Sequence, residues 1–168
     1  MKQSEKGGRQ GFSLIEILLA VAMLVVIASA ATPSLLRFYR QSAVEYETEH
    51  LLADIRKTQA MSRMTATVDG SDSDDRQGAS LLIDRESYLV RIGNGQMDSK
   101  TRHYYWPWVR VVKAGQTSGG GFIFFKSDGS LKGGSMMTLE IFCEGHMNEG
   151  RRIMVSRGGR IRIDRRSF

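Results

Sequence analysis

The chain has 168 residues, a net charge of +6 and 41% hydrophobic residues, a composition that suits one globular domain together with a separate N-terminal segment. Its one cysteine, Cys143, excludes an intramolecular disulfide and any zinc site built from several thiolates. The strand-like sequence TLEIFCEG around this residue predicts that the thiol is buried.

The positive charge is concentrated at the two ends of the chain. Residues 151–168 hold seven arginines and one aspartate, and residues 1–11 hold three basic residues and one glutamate. The residues between them are therefore slightly acidic, so the basic balance does not describe a uniformly basic domain. The two ends need separate explanations.

A long apolar segment follows the short, positively charged start. Residues 12–32 are apolar except for Ser13, Glu16, Ser29 and Thr32. As a helix this segment would be about 30 Å long, which matches the hydrocarbon core of a bilayer. Basic residues before such a segment favour a cytoplasmic N-terminus, so the rest of the chain is predicted to cross the membrane.

A cleaved secretory signal is the alternative explanation of this segment. Ala28 and Ala30 form the A-x-A pattern of a signal-peptide cleavage site, which would place the cut near Ala30 or Ala31. The unbroken length of the apolar run and the acid Glu16 near its start favour a retained helix instead.

The sequence GFSLIE, from Gly11 to Glu16, resembles the N-terminal cleavage and methylation motif of type IV pilins and type II secretion pseudopilins. That motif has glycine, then phenylalanine or methionine, then serine or threonine, two aliphatic residues and glutamate, and every position matches. The apolar segment and Pro33 also follow where the family has them.

The resemblance implies a role for three of these residues. A prepilin peptidase of the inner membrane would cut between Gly11 and Phe12 and would methylate the new amine of Phe12. Helix 12–32 would remain as an anchor and later pack in the core of a filament, where Glu16 would pair with the Phe12 amine of a neighbouring subunit. Such pairing has a physical basis, because an intramembrane carboxylate is costly until an opposite charge neutralises it.

Beyond Pro33 the helical pattern continues without glycine or proline to about Thr65. Proline removes one backbone hydrogen bond, so we predict a bend near Pro33 in a helix that runs from about Phe12 to Thr65. Residues 33–66 are amphipathic. The predicted apolar stripe is Leu36, Tyr39, Val44, Leu51, Leu52, Ile55 and Met61, with Arg37, Arg40, Glu45, Glu47, Glu49 and Arg56 on the other faces.

The chain from residue 67 to 168 changes to a strand-like period with glycine-rich turns. Strands are predicted on either side of a turn at 84–87, and further along at 104–113, 121–131, 136–145 and 151–164. Strands that follow one long helix indicate an α+β fold with an antiparallel sheet. Together with the resemblance, this predicts a pilin-like fold with four parts: leader 1–11, membrane helix 12–32, amphipathic helix 33–66 and β domain 67–168.

The C-terminal part resembles the FimT/GspH class of minor pilins and pseudopilins. The matching elements are a Phe-x-x-x-Gly turn from Phe125 to Gly129, an amphipathic strand, and a terminal hairpin that ends in Gly-Arg-x-Arg from Gly159 to Arg162. Residues 66–120 show no pattern that assigns a subclass.

The arginine-rich tail has two interpretations. Arg160 and Arg162 alternate with Ile161 and Ile163, which is the pattern of any half-buried strand with one solvated face. The charge could also bind a phosphate backbone, an acidic neighbour or lipid headgroups, and the resemblance implies DNA, which some FimT-like pilins bind. The candidate DNA-binding residues are Arg157, Arg160, Arg162, Arg165 and Arg166.

No enzymatic motif is evident, and we predict neither a cofactor nor a bound metal. The three histidines, at 50, 103 and 146, are far apart in sequence, and no metalloprotease, nucleophile-elbow or phosphate-loop motif is present. The acidic cluster from Asp69 to Asp75 favours a solvated loop over a calcium site, because its order does not match an EF-hand. The aromatic run 103–112 favours core or subunit contacts over stacking on single-stranded bases.

These observations predict a structural subunit rather than a catalyst. It would be processed by prepilin peptidase, held in the bacterial inner membrane by one helix with a periplasmic domain, and assembled with other pilins or pseudopilins. The favoured function is a GspH-like subunit of a type II secretion pseudopilus. The alternative is a FimT-like minor pilin of a type IV pilus that contacts DNA, and the remote alternative is a membrane-anchored periplasmic enzyme.

Overall fold

The computed structural model describes residues 13–69, 79–91, 102–116 and 121–164. The chain divides into two compact units, Met1–Tyr39 and Arg40–Phe168, and each is considered by itself. The acidic cluster from Asp69 to Asp75, for which the sequence favours a solvated loop over a calcium site, lies outside the described residues, apart from Asp69 at the end of a helix.

Helix α1 spans Leu14–Asp69, close to the predicted bounds, and Pro33 lies inside it. In the first unit the helix between residues 17 and 28 carries apolar side chains on every side. Its large hydrophobic side chains between residues 14 and 27 are 51–77% exposed, and its candidate membrane-spanning window has a mean hydropathy of 2.7. Two of its hydroxyls are satisfied within the helix, since Ser29 and Thr32 donate to the carbonyls of Val26 and Ala28 at 2.8 and 2.7 Å. By length and composition, this helix can cross a membrane.

In the second unit α1 buries one face. Val44, Leu51, Leu52 and Ile55 of the predicted apolar stripe are at most 3% exposed. The expectation that Glu47 lies on a polar face is wrong, because its side chain is also buried. The polar partners that stabilise this carboxylate come from a distant strand and are described with the site below.

The described residues of the second unit form eight strands. Their bounds are β1 Ser80–Ile83, β2 Ser87–Arg91, β3 Arg102–Tyr104, β4 Val109–Lys113, β5 Gly121–Phe124, β6 Met137–Cys143, β7 His146–Val155 and β8 Ile161–Asp164. All pairings are antiparallel, and the strands form two four-stranded sheets, β3-β2-β1-β5 and β4-β6-β7-β8. The turn predicted at 84–87 is present between β1 and β2, and β7 begins five residues earlier than predicted.

The prediction of a single strand over 104–113 is wrong. Strand β3 ends at Tyr104, and β4 begins at Val109 in the other sheet. Pro107 between them has no backbone N–H to donate to a ladder, and a tight turn forms in which the Val109 amide donates to the Trp106 carbonyl at 2.8 Å. The aromatic run thus connects the two sheets.

The hydrophobic core combines the buried face of α1 with inward-facing residues of both sheets. Its largest fully buried members include Leu51, Ile55, Ile123, Phe125 and Ile153. Cys143 is buried, as predicted, and burial raises the pKa of its thiol. All the core residues lie beyond residue 42, so the second unit has a complete core of its own.

Candidate functional site

The described N-terminal residues place Glu16 in the first turn of α1 with an exposed side chain. The helix begins with the carbonyl of Ser13, which accepts hydrogen bonds from the amides of Glu16 and Ile17 at 3.0 and 3.3 Å. A carboxylate in a first turn lies near the positive end of the helix dipole. Gly11 and Phe12, the predicted cleavage and methylation positions, lie outside the described residues.

The terminal hairpin displays two of the candidate arginines on one side. Arg160 and Arg162 are exposed, whereas Ile161 and Ile163 pack against the core, as the alternating pattern predicts. The turn from Ser156 to Arg160 is closed by a backbone hydrogen bond of 2.9 Å from the Ser156 amide to the Arg160 carbonyl. Two further candidates, at 165 and 166, lie beyond the described part of the chain.

The arginines of the tail are not equivalent. Arg151 is paired with Glu45 of α1 at 2.8 Å, and Arg152 is paired with Glu140 of β6 at 2.9 Å. In contrast, three exposed arginines make no ion pair with any residue that the structure describes: Arg157, Arg160 and Arg162. The charge available to a partner is therefore smaller than the sequence count indicates, and it is concentrated at the last hairpin.

Gly159 of this hairpin is held between two other parts of the fold. Its φ is +77°, and a Cβ at this position would overlap the carbonyl oxygen of Gly129 in the β5–β6 connection. The Gln59 side-chain amide of α1 donates to the carbonyls of both Gly129 and Gly159, each at 2.8 Å. The glycine of the Gly-Arg-x-Arg motif thus fixes the hairpin against the helix, and the arginines beside it point outward.

An open depression lies beside the same hairpin. It has a volume of about 440 Å³ and is lined by Lys126, Asp128, Ser130, Leu131, Gly133, Gly134, Arg157 and Gly158. A hydrogen bond from Ser130 lowers the pKa of the Asp128 carboxyl. The depression therefore holds one negative charge together with the positive charges of Lys126 and Arg157. Lys126 was not among the residues predicted from sequence, because it lies about thirty residues from the arginines and only the fold brings it near them.

A polar cluster that the sequence did not reveal joins α1 to β2 and β3. Glu47 accepts hydrogen bonds from His103 Nε2 at 2.8 Å and from the Trp106 amide at 3.1 Å. The His103 ring stacks on His50 at a centroid distance of 4.2 Å. Two histidines that are 53 positions apart in sequence therefore meet, whereas His146 begins β7 elsewhere.

Tyr88 completes this cluster. A carboxylate only accepts hydrogen bonds, so the Tyr88 hydroxyl donates to Asp54 at 2.5 Å and accepts from His50 Nδ1 at 2.6 Å. Burial and then the Asp54 contact raise the pKa of Tyr88, and burial raises the pKa of Tyr105. Because both folded pKa values lie above the value of about 10 in an unfolded chain, the stability linked to these hydroxyls is complete below that pH and is lost above it.

We expect Tyr88→Phe and Tyr105→Phe to affect stability differently. Tyr88→Phe removes a donor for Asp54 and an acceptor for His50, and should lower the free energy of unfolding by about 1–2 kcal/mol. The buried Tyr105 hydroxyl has no hydrogen-bond partner among the described residues, so Tyr105→Phe should be neutral or slightly stabilising. Urea unfolding of residues 40–168 at pH 7 measures both, and equal losses would contradict the assigned hydrogen bonds.

The described residues contain no group of three or more histidine, cysteine, aspartate or glutamate side chains arranged to hold a metal ion. Of the two stacked histidines, His103 contacts the Glu47 carboxylate, and His50 contacts the Tyr88 hydroxyl and lies 3.8 Å from the Asp54 carboxylate. Their arrangement fastens the β2–β3 hairpin to the helix.

Comparisons with known proteins add two findings. Residues 6–32 match the family model of the prokaryotic N-terminal methylation motif. Two crystal structures of the type IV minor pilin FimU from Pseudomonas aeruginosa strain PAO1 align with 18% identity and TM-scores of 0.52 and 0.54. They cover 74% and 76% of this chain and 91% and 90% of the FimU chains.

The minor pseudopilin EpsH from the type 2 secretion system of Vibrio cholerae aligns with 11% identity and a TM-score of 0.48, over 73% of this chain and 96% of its own. No curated protein sequence matches the chain. At 18% identity the likeness to FimU shows a shared fold, and the predicted fold class is confirmed: one long apolar helix with antiparallel sheets packed on its second part.

Proposed function

We propose that this chain, whose residues 6–32 match the N-terminal methylation motif and whose fold is shared with FimU, is a member of the type IV pilin and pseudopilin superfamily. Within it, the chain is a GspH-like minor pseudopilin, a structural subunit of a type II secretion pseudopilus. The observation that carries the proposal is the first unit of the structure. A helix that carries apolar side chains on every side between residues 17 and 28 and bears one carboxylate, Glu16, in its first turn is suited to a membrane and then to packing among like helices.

In this proposal the chain is made as a prepilin with the leader 1–11. Prepilin peptidase removes the leader after Gly11 and methylates Phe12 at the cytoplasmic face of the inner membrane. Helix 12–32 then anchors the subunit, and the β domain 67–168 lies in the periplasm. During assembly Glu16 pairs with the Phe12 amine of a neighbouring pilin or pseudopilin, so the subunit acts by packing rather than by catalysis.

The test is the N-terminus of the mature protein. We expect mass spectrometry of the membrane-extracted chain, produced together with a prepilin peptidase, to find N-methylated Phe12 as the first residue. Gly11→Val should leave the leader attached, because it changes the residue at the cut. Gly8→Val provides a matched control within the leader and should be processed normally. A mature N-terminus at Ala31 or Thr32 would instead identify a secretory signal and would overturn the proposal.

A second candidate function is favoured by the terminal hairpin. It carries three exposed arginines without described acidic partners, at 157, 160 and 162, and Arg157 lines the same depression as Lys126. Such a surface suits the phosphate backbone of DNA. In that case the chain is a FimT-like minor pilin of a type IV pilus that contacts DNA during uptake. The genes adjacent to its own, for secretion or for pilus assembly, also separate the two candidates.

DNA binding by this surface has a specific expected result. A gel-shift titration of residues 40–168 should show a shift that weakens as salt is raised, and Arg160→Ala with Arg162→Ala should flatten the slope of log K against log salt by roughly two. Arg151→Ala with Arg152→Ala is the matched control, because those arginines are already paired with Glu45 and Glu140. Absence of a salt-dependent shift, or equal effects of the two double variants, would exclude this candidate.

A further inference from the structure

Three turns of the second unit meet at the end where the unit begins. They are the β1–β2 turn at Arg85 and Glu86, the β3–β4 turn from Trp106 to Trp108, and the β6–β7 turn at Glu144 and Gly145. The Glu144 amide donates to the Trp108 carbonyl at 2.8 Å. Arg110 contacts Glu144 at 2.9 Å and Pro107 at 2.7 Å, which fastens the turns to one another.

Contacts to α1 show at which end of the second unit these three turns lie. Cys143, next to the β6–β7 turn, lies 3.7 Å from the carbonyl of Arg40, the first residue of the unit. The arginine hairpin, which is the terminal hairpin that carries Arg157, Arg160 and Arg162, contacts α1 through Gln59. Gln59 is about 28 Å further along the helix than Arg40. The second unit therefore has two ends, an anchor end with the three turns and a distal end with the arginine hairpin.

The anchor end exposes large amphipathic and apolar side chains. Trp106, Trp108 and Met147 are 40%, 37% and 57% exposed, and the two indole rings lie 5.6 Å apart. The charges around them are balanced, since Arg85 and Arg110 are offset by Glu86 and Glu144 within hydrogen-bonded or ion-paired contacts. Exposed tryptophans on a surface without net charge suit the boundary between lipid headgroups and acyl chains, because the indole ring is amphipathic.

The length of the connecting chain brings a membrane within reach of this surface. Eight residues separate Thr32, the end of the apolar run, from Arg40, and even a fully extended chain limits that separation to about 28 Å. The start of the second unit therefore lies within reach of any bilayer that the apolar run crosses.

We propose that Trp106, Trp108 and Met147 form a membrane-docking surface that rests on the headgroup region of a zwitterionic phospholipid bilayer before the subunit enters a filament. The proposal rests on the membrane anchor of the proposed function. Docking would hold the second unit with its anchor end on the lipid and its arginine hairpin directed away from it.

The two tryptophans are the only ones in the chain, so their fluorescence reports on this surface alone. The full-length chain is reconstituted into zwitterionic phosphatidylcholine vesicles with or without bromine on the acyl chains. We expect brominated lipid to lower tryptophan emission by roughly twofold, because indole rings at the headgroup level lie within reach of the bromine atoms. Raising the salt concentration should leave the quenching unchanged, since the surface is neutral.

Two exposed methionines give a matched pair of variants. Met147→Asp places a charge on the docking surface and should abolish most of the quenching. Met136→Asp makes the same change at a similarly exposed methionine, before the opposite end of β6, and should preserve it. Equal loss in both variants, or no quenching in the wild-type chain, would overturn the docking surface and leave the exposed rings to a protein partner.

Washing the vesicles with alkaline carbonate separates this proposal from the one on which it depends. A chain that stays with the vesicles but shows no quenching retains the anchor and refutes docking alone. A chain that is released from them refutes the anchor itself, and the docking surface fails with it.

Discussion

Gly159→Ala should destabilise the second unit by about 3 kcal/mol, which corresponds to a fall in Tm of roughly 10 °C for a domain of this size. The loss has two sources. Gly159 has φ +77°, where an L side chain is strained, and a Cβ would overlap the Gly129 carbonyl that Gln59 also binds. Because the overlap is with backbone rather than with the end of a flexible side chain, the β5–β6 connection must move to relieve it.

Gly158→Ala is the matched control for this prediction. A Cβ added at this neighbouring glycine would meet no atom within 4 Å, and the residue is not in the left-handed region. Its substitution should change the free energy of unfolding by no more than about 0.5 kcal/mol. Thermal unfolding of residues 40–168 carrying each change measures both, and equal stability of the two variants would contradict the packing of the hairpin on Gly129.

Glu16→Ala should leave cleavage after Gly11 largely intact while lowering recovery of the subunit in filaments by about tenfold or more. A buried charge left without its partner costs about 3 kcal/mol or more, so the neighbour's Phe12 amine would be stranded in an apolar environment. Membrane insertion itself should not suffer, because removing a carboxylate from an apolar helix makes insertion easier.

Two further variants separate charge from size at this position. Glu16→Gln keeps the shape and removes the charge, so it should assemble as poorly as Glu16→Ala, whereas Glu16→Asp keeps the charge and should assemble better than either. The measurement is the amount of processed subunit that co-purifies with sheared filaments relative to the amount in membranes. Normal assembly of Glu16→Ala would refute the pairing role and leave the cleavage site unaffected.

The elements with a regular period were predictable from the sequence. The helical spacing of Val44, Leu51 and Ile55 predicted which side of α1 is buried, because each turn of a helix repeats the same face. The alternation of Arg162 with Ile161 and Ile163 predicted the exposed and packed sides of β8, because successive side chains of a strand point to opposite faces. The aromatic run was misjudged, since Pro107 interrupts a pattern that otherwise reads as one strand.

The contacts that shape the candidate surfaces were not predictable in this way. Glu47 has the local pattern of a solvent-exposed residue, and its burial becomes favourable only through His103 and the Trp106 amide, 56 and 59 positions later. Gly159 belongs to a motif that suggested binding, whereas its contact with Gly129 through Gln59 makes it a packing residue. Sequence spacing carries no information about partners that are so far apart along the chain.

By itself, the sequence determined the apolar helix, the prepilin-type motif at its start, and the change to strands after residue 67, because each depends on residues that are close neighbours along the chain. Only the tertiary structure decided how the charge is used. It pairs Arg151 and Arg152 with acids of α1 and β6, leaves Arg157, Arg160 and Arg162 exposed without described acidic partners, and collects the tryptophans at the end where the second unit begins. The physical reason is that a charge or an aromatic ring acts through whatever lies within a few ångströms of it, and that neighbourhood exists only once distant strands have packed together.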